Sequence, residues 1–132
     1  MANKLHEVVQ SLKRRTDEGK LKWEVTLEES VYQTAFPEYI VKIGQRHTAY
    51  DSGDNDSFDY YVLILNQDGT LIEDVDDVGL LQAGFEEAYQ FLKGLHDGAR
   101  RSALGVDKAL DSLLFVLRTP EEKLQLEDDV SF

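Results

Sequence analysis

Tyr60-Tyr61-Val62-Leu63-Ile64-Leu65-Asn66-Gln67-Asp68-Gly69-Thr70-Leu71-Ile72 is the stretch on which the fold turns. Its first six residues are the most apolar run in the chain and suit a strand covered on both faces. Asn66-Gln67-Asp68-Gly69 breaks the run, and an Asp-Gly pair between apolar segments signals a hairpin because glycine accepts positive φ. Thr70-Leu71-Ile72 then returns as the partner strand. An antiparallel pair near the middle of the chain is therefore the expected nucleus of the sheet.

Upstream of the hairpin the apolar period is two. Leu21, Trp23, Val25 and Leu27 alternate with polar residues and predict a half-buried strand. Trp23 on that face reads as a core residue, since large aromatics dominate core burial. Tyr32, Thr34 and Phe36 predict a second strand closed by Pro37, and Tyr39, Val41 and Ile43 a third ending near Gly44. The segment from Asp51 to Ser57, rich in Asp, Ser, Gly and Asn, reads as a loop. Further upstream, Leu5, Val8, Val9 and Leu12 follow the spacing of a helix with one buried stripe, with Asn3 as its expected N-cap and Gly19 as its stop. Lys13, Arg14 and Arg15 fall in its last turns, where cations complement the helix dipole.

Downstream, Glu73 to Gly79 reads as an acidic connection. A helical period returns at Phe85, Ala88, Tyr89, Leu92, Leu95 and Ala99 and lasts to about Ala103. Gly94 and Gly98 each weaken such a helix by about 1 kcal/mol relative to alanine, which fits close packing or a bend. Gly105 breaks it. Asp107 is the expected cap of a last helix striped by Leu110, Leu113, Leu114 and Leu117 and ending before Pro120. The order predicts an α+β fold: an N-terminal helix, an antiparallel sheet of four or five strands with a central hairpin, and two C-terminal helices packed on one face. Residues 1–120 read as a single domain and residues 121–132, of net charge −4, as an acidic C-terminal tail.

Composition agrees with one packed globule. The 132 residues are 42% hydrophobic and include thirteen aromatics, too many for a disordered acidic segment. The absence of cysteine removes disulfides, thiolate metal sites and a cysteine nucleophile together. The first residues lack the apolar stretch of a signal peptide, and no run approaches the roughly 20 apolar residues of a membrane span. A cytoplasmic protein with no membrane partner is the expectation.

Charge is the most unusual property. Between Asp51 and Ala88 lie eleven acidic residues and no Lys or Arg, which accounts for nearly all of the net charge of −12. The first 22 residues are instead basic, at +3. A field segregated this way repels polyanions and attracts cationic surfaces. Nucleic-acid binding is disfavoured, because phosphate affinity comes from clustered Lys and Arg.

Candidate chemistry falls away residue by residue. Leu65-Asn66-Gln67-Asp68-Gly69-Thr70-Leu71 resembles the nucleophile motif of the haloacid-dehalogenase-like phosphatases, but Asn66 stands where the nucleophilic aspartate belongs, and an amide forms no aspartyl-phosphate. Asp54 to Leu65 fails as a calcium-binding loop, with Phe58, Asp59 and Leu65 at its fifth, sixth and twelfth positions. A looser oxygen cage from Asp51, Asp54, Asp56 and Asp59 is the remaining metal option. His6, His47 and His96 share no metal-ligand spacing, although His96, Asp97, Arg100 and Arg101 would form a polar patch on an exposed helix face. No catalytic residue, metal ligand or cofactor is assigned.

Gly19-Lys-Leu-Lys-Trp-Glu24 and the stretch from Gly98 to Leu110 resemble those of small bacterial α+β proteins with the same helix–strands–helices order and no activity attached. The resemblance implies a bacterial or phage-related source and no chemistry. The expected function is thus an acidic protein–protein interaction module that binds a basic surface of a partner, in the manner of immunity proteins, secretion chaperones or DNA-mimic inhibitors. Asp51, Asp54, Asp56, Asp59, Glu73, Asp74, Asp76 and Asp77 are its candidate contact residues. The alternatives are a small hydrolase or metal-dependent enzyme using the acidic loop, and a homodimeric structural or regulatory subunit.

Overall fold

The computed structural model describes residues 2–47 and 58–120. Helix α1 (Ala2–Asp17) leads into a five-stranded sheet of β1 (Glu24–Val25), β2 (Tyr32–Ala35), β3 (Tyr39–His47), β4 (Phe58–Asn66) and β5 (Leu71–Asp76). Helices α2 (Asp77–Gln82), α3 (Ala88–Leu104) and α4 (Val106–Leu117) follow. Every strand pairs antiparallel with its neighbour in sequence, so the spatial order is β1-β2-β3-β4-β5. The α+β class, the central hairpin and the packed C-terminal helices are as the sequence predicts.

Register explains which residues are inside. Ile43 lies opposite Tyr32 and Val62, and Val41 lies opposite Thr34 and Ile64, so these six share one face. That face packs against Val9 and Leu12 of α1, Leu80 of α2, and Ala88, Leu92, Leu95 and Ala99 of α3. Fully burying a leucine such as Leu92 or Leu95 stabilises the fold by roughly 1.5–3 kcal/mol. Among the described residues no helix covers the other face of β4, contrary to the two-sided burial its run suggests. Tyr61, Leu63 and Leu65 are only half-buried there, shielded by neighbouring strands. The Tyr61 ring lies over Gly44, directly opposite on β3, where a Cβ would stand, and the Arg46 guanidinium sits 4.7 Å from its centroid.

Several boundaries differ from the sequence pattern for local reasons. The first helix begins at Ala2, so Asn3 lies inside its first turn and is not its cap. It ends as expected: Gly19 takes φ +72°, and the Lys20 and Gly19 amides return to the Arg15 and Thr16 carbonyls. The strand expected over 21–27 shrinks to Glu24–Val25. Trp23 leaves the ladder because its amide donates to Ser102 Oγ (3.0 Å) and its indole Nε1–H to Thr16 Oγ1 (2.9 Å), which anchors it to α3 and α1. Thr26 Oγ1 then donates to the carbonyls of Glu28 and Val31 and folds the chain into a loop, leaving Leu27 in solvent. Residues 73–76, expected in a connection, extend β5, and Asp77–Gln82 is a short helix rather than a loop. Gly105, not Asp107, caps α4, and Asp107 bonds Arg101 instead.

The two mid-helix glycines serve a close approach. A Cβ on Gly98 would stand 2.8 Å from Thr16 Cγ2, and one on Gly94 would stand 3.0 Å from Lys13 Cε. Lys13 ends in a flexible chain that can shift, whereas Thr16 is branched and held by Trp23. Gly98→Ala should therefore lower stability by roughly 1–2 kcal/mol despite its better helix propensity, because overpacking outweighs that gain. Gly94→Ala should leave the melting temperature unchanged or raise it. Thr16→Ser removes the obstructing methyl and keeps the hydroxyl, so it should rescue Gly98→Ala; equal melting temperatures for both alanine variants would contradict this account.

Candidate functional site

Part of the acidic window, Asp59, Asp76 and Asp77, lies at one end of the sheet. β3 runs out at His47 and β4 starts at Phe58, so the connection that carries Asp51, Asp54 and Asp56 leaves and rejoins the sheet at that end. Those three aspartates themselves lie outside the described residues. Asp59 is paired in register with Arg46, and Asp76 with Tyr61, which places Asp59 and Asp76 on the same side of the sheet as Arg46, while Asp77 follows Asp76 at the start of α2. Arg46 Nη2 stands 3.8 Å from Asp76 Oδ2, a partly exposed ion pair worth at most about 1 kcal/mol.

Within this group the carboxylates have different duties. Asp76 caps α2: its Oδ1 accepts from the Gly79 amide at 2.7 Å. Asp77 is only 7% exposed, and its Oδ1 accepts the Tyr60 amide at 3.0 Å, so it closes the β4 end from inside. Burial raises its pKa above the ordinary 3.8; the Tyr60 amide opposes this, and the charges of Asp59 and Asp76 add to it. Glu73 and Asp74 are exposed on β5, an edge strand, and among the described residues neither joins an ion pair. The Asp74 amide donates to Glu73 Oε1 at 3.0 Å. The sequence signal for the two structural aspartates was the capping position: an Asp just before Val78, Leu80 and Leu81 marks a helix start.

Asp68 and Asn66 build the hairpin turn. Asn66 Oδ1 accepts from the amides of Asp68 and Thr70, and Asp68 Oδ1 accepts the amide and hydroxyl of Thr70, which lowers the Asp68 pKa. Gly69 supplies φ +90°. The phosphatase-like run is thus occupied in a turn.

His96, Asp97, Arg100 and Arg101 do not form one exposed face of the long helix. His96 is buried between Tyr32 and Tyr60, with ring centroids 5.4 and 5.2 Å away, and its Nε2–H donates to the Ser30 carbonyl at 2.8 Å. Burial pushes its pKa below the ordinary 6.5, partly offset by that carbonyl. Arg100 pairs with Asp97 and Arg101 with Asp107, both at 2.9 Å. Asp97, Arg101 and Asp107 line a pocket of about 660 Å³ between the end of α1 and the α3–α4 junction, where Asp17 is also paired, with Lys13. A second groove of about 570 Å³ runs between α1 and the sheet, floored by Leu12, Phe36, Val41 and Ile64 and flanked by Lys4 and Arg15. Among the described residues no group of three or more His, Asp or Glu is placed to hold a metal ion, and no helix is long and apolar enough to cross a membrane.

No protein-family model, curated protein or solved structure matches the chain.

Asp77 and His96 predict opposite pH effects. Asp77 holds its proton more tightly folded than unfolded, so its contribution favours the fold below the ordinary aspartate value and is lost as pH rises through the raised one. Asp77→Asn keeps an acceptor for the Tyr60 amide and should therefore stabilise the protein at pH 7, with the gain fading towards pH 3.8. Asp77→Ala orphans that amide and should cost roughly 1–3 kcal/mol. His96 acts the other way: stability present above pH 6.5 is lost as pH falls through its depressed value. Melting curves from pH 3 to 8 check both, and a pH-independent difference between Asp77→Asn and wild type would refute the first.

Proposed function

We propose that the chain is a protein-binding module that docks a basic, extended segment of a partner at the acidic end of its sheet and along the edge of β5. The observation that carries this reading is the convergence of Asp59 and Asp76 with both ends of the 48–57 connection, continued by Glu73 and Asp74 on an edge strand. An edge strand offers backbone donors and acceptors to an added strand, and its flanking carboxylates select a cationic one. The same carboxylates deter the edge from pairing with itself. Complementary charge acts mainly on the rate of encounter and on rejection of wrong partners. The partner is sought in the bacterial cytoplasm.

The test separates recognition carboxylates from structural ones. Asp54→Asn, Asp56→Asn, Glu73→Gln and Asp74→Asn together leave Asp76 and Asp77 in place, so the fold should be kept. Proteins retained by the immobilised wild-type chain and lost on this variant should be basic. Their association should slow markedly between roughly 50 and 300 mM salt, where exposed charges are screened. Partners bound equally by both chains, at a rate indifferent to salt, would rule out the acidic surface as the recognition element.

A further inference from the structure

Helix α4 buries none of its residues. Leu110, Leu113, Leu114 and Leu117 are 46%, 56%, 43% and 71% exposed, and they recur at the spacing that puts them on one face. The helix packs chiefly against α3, and these leucines keep much of their surface in solvent. A row of leucines in solvent marks an interaction surface more often than a solvated face.

Charge says what covers it. A chain of net −12 repels a second copy of itself over much of its surface. Residues 106–118 are an exception: Asp107 and Asp111 balance Lys108 and Arg118, so the leucine stripe lies in a segment of zero net charge. Asp111 and Arg118, seven residues apart, flank the stripe on the same side. When two such helices pair antiparallel about a point between Leu113 and Leu114, Leu110 meets Leu117 of the other copy. Asp111 then meets Arg118 of the other copy, and the symmetry repeats each contact. Parallel pairing would set that flank against the opposite flank of the other copy and lose the Asp111–Arg118 contact.

We propose that α4 is a homodimerisation helix that pairs antiparallel with α4 of a second copy around Leu113 and Leu114. The interface is isologous and uses neither β5 nor the acidic end of the sheet. One helix face is smaller than the roughly 800 Å² per partner of a standard stable interface, so a reversible monomer–dimer equilibrium is expected. The partner surface and the dimer surface are therefore independent, and either can fail without the other.

The chain has no cysteine, so introduced thiols report pairing directly. Sedimentation from about one to several hundred micromolar should show a monomer–dimer equilibrium. Leu113→Glu with Leu117→Glu should raise its dissociation constant at least about tenfold while the circular dichroism spectrum of the dilute chain stays the same. Leu114→Cys should cross-link to itself under mild oxidation. Leu110→Cys should cross-link poorly alone but efficiently when mixed with Leu117→Cys. Asp111→Arg and Arg118→Asp should each weaken the dimer and together restore it. A chain that stays monomeric throughout overturns the proposal, whether a different protein or residues 121–132 then cover the leucines. A dimer indifferent to the leucine substitutions, or self-cross-linking of Leu110→Cys without the mixed product, overturns it equally.

Discussion

Everything in this fold leans on α3. That one helix touches α1, α2, α4 and the first four strands, so its faces are partitioned among several neighbours. Ala88, Leu92, Leu95 and Ala99, spaced four, three and four apart, lie in the core beneath the sheet. Gly94 and Gly98 recur one turn apart and let α1 approach closely. Ser102 reaches back to the Trp23 amide and fixes the entry to the sheet. A helix with so many obligations has little freedom to vary in radius or tilt, which is why two residues of poor helix propensity persist in its middle.

His96 gives the same helix a polar anchor within the core. Its hydrogen bond to Ser30 holds a residue whose φ of +65° is unusual for a side chain other than glycine. The aromatic rings of Tyr32 and Tyr60 close over the imidazole, and Tyr60 in turn sends its amide to Asp77. Loop 28–31, the sheet and the start of α2 are thereby joined through three consecutive contacts. Removing any of the polar members leaves a buried donor or acceptor without a partner, which costs more than the hydrogen bond itself contributes.

Periodicity made the hairpin over 60–72, the first helix and α3 legible, because each presents a strong and uninterrupted pattern. It failed where a side chain competes with the backbone. Leu27 completes a convincing alternation yet stands in solvent, because Thr26 turns the chain before it. The helix at Asp77–Gln82 was hidden by the acids around it, although Leu80 lies in the core. Charge counting located the acidic window but assigned it one role. In the folded chain, Asp76 and Asp77 are a cap and a buried acceptor, while Glu73 and Asp74 face water. The leucines of α4 show the complementary gap: a pattern says that one face is apolar and is silent about what lies against it.

A sheet whose spatial order equals its sequence order has a consequence for biosynthesis. Each strand meets its partner as soon as the next turn has left the ribosome, so pairing needs only short loops to close and should be fast. The core face of that sheet, however, waits for Leu92, Leu95 and Ala99, which are made last. During that interval the nascent chain displays Val41, Ile43 and Val62 to solvent, the kind of exposure that leads to aggregation. The run of carboxylates between Asp51 and Ala88 emerges in the same interval, and its repulsion should oppose contact between neighbouring nascent chains until α3 arrives to close the domain.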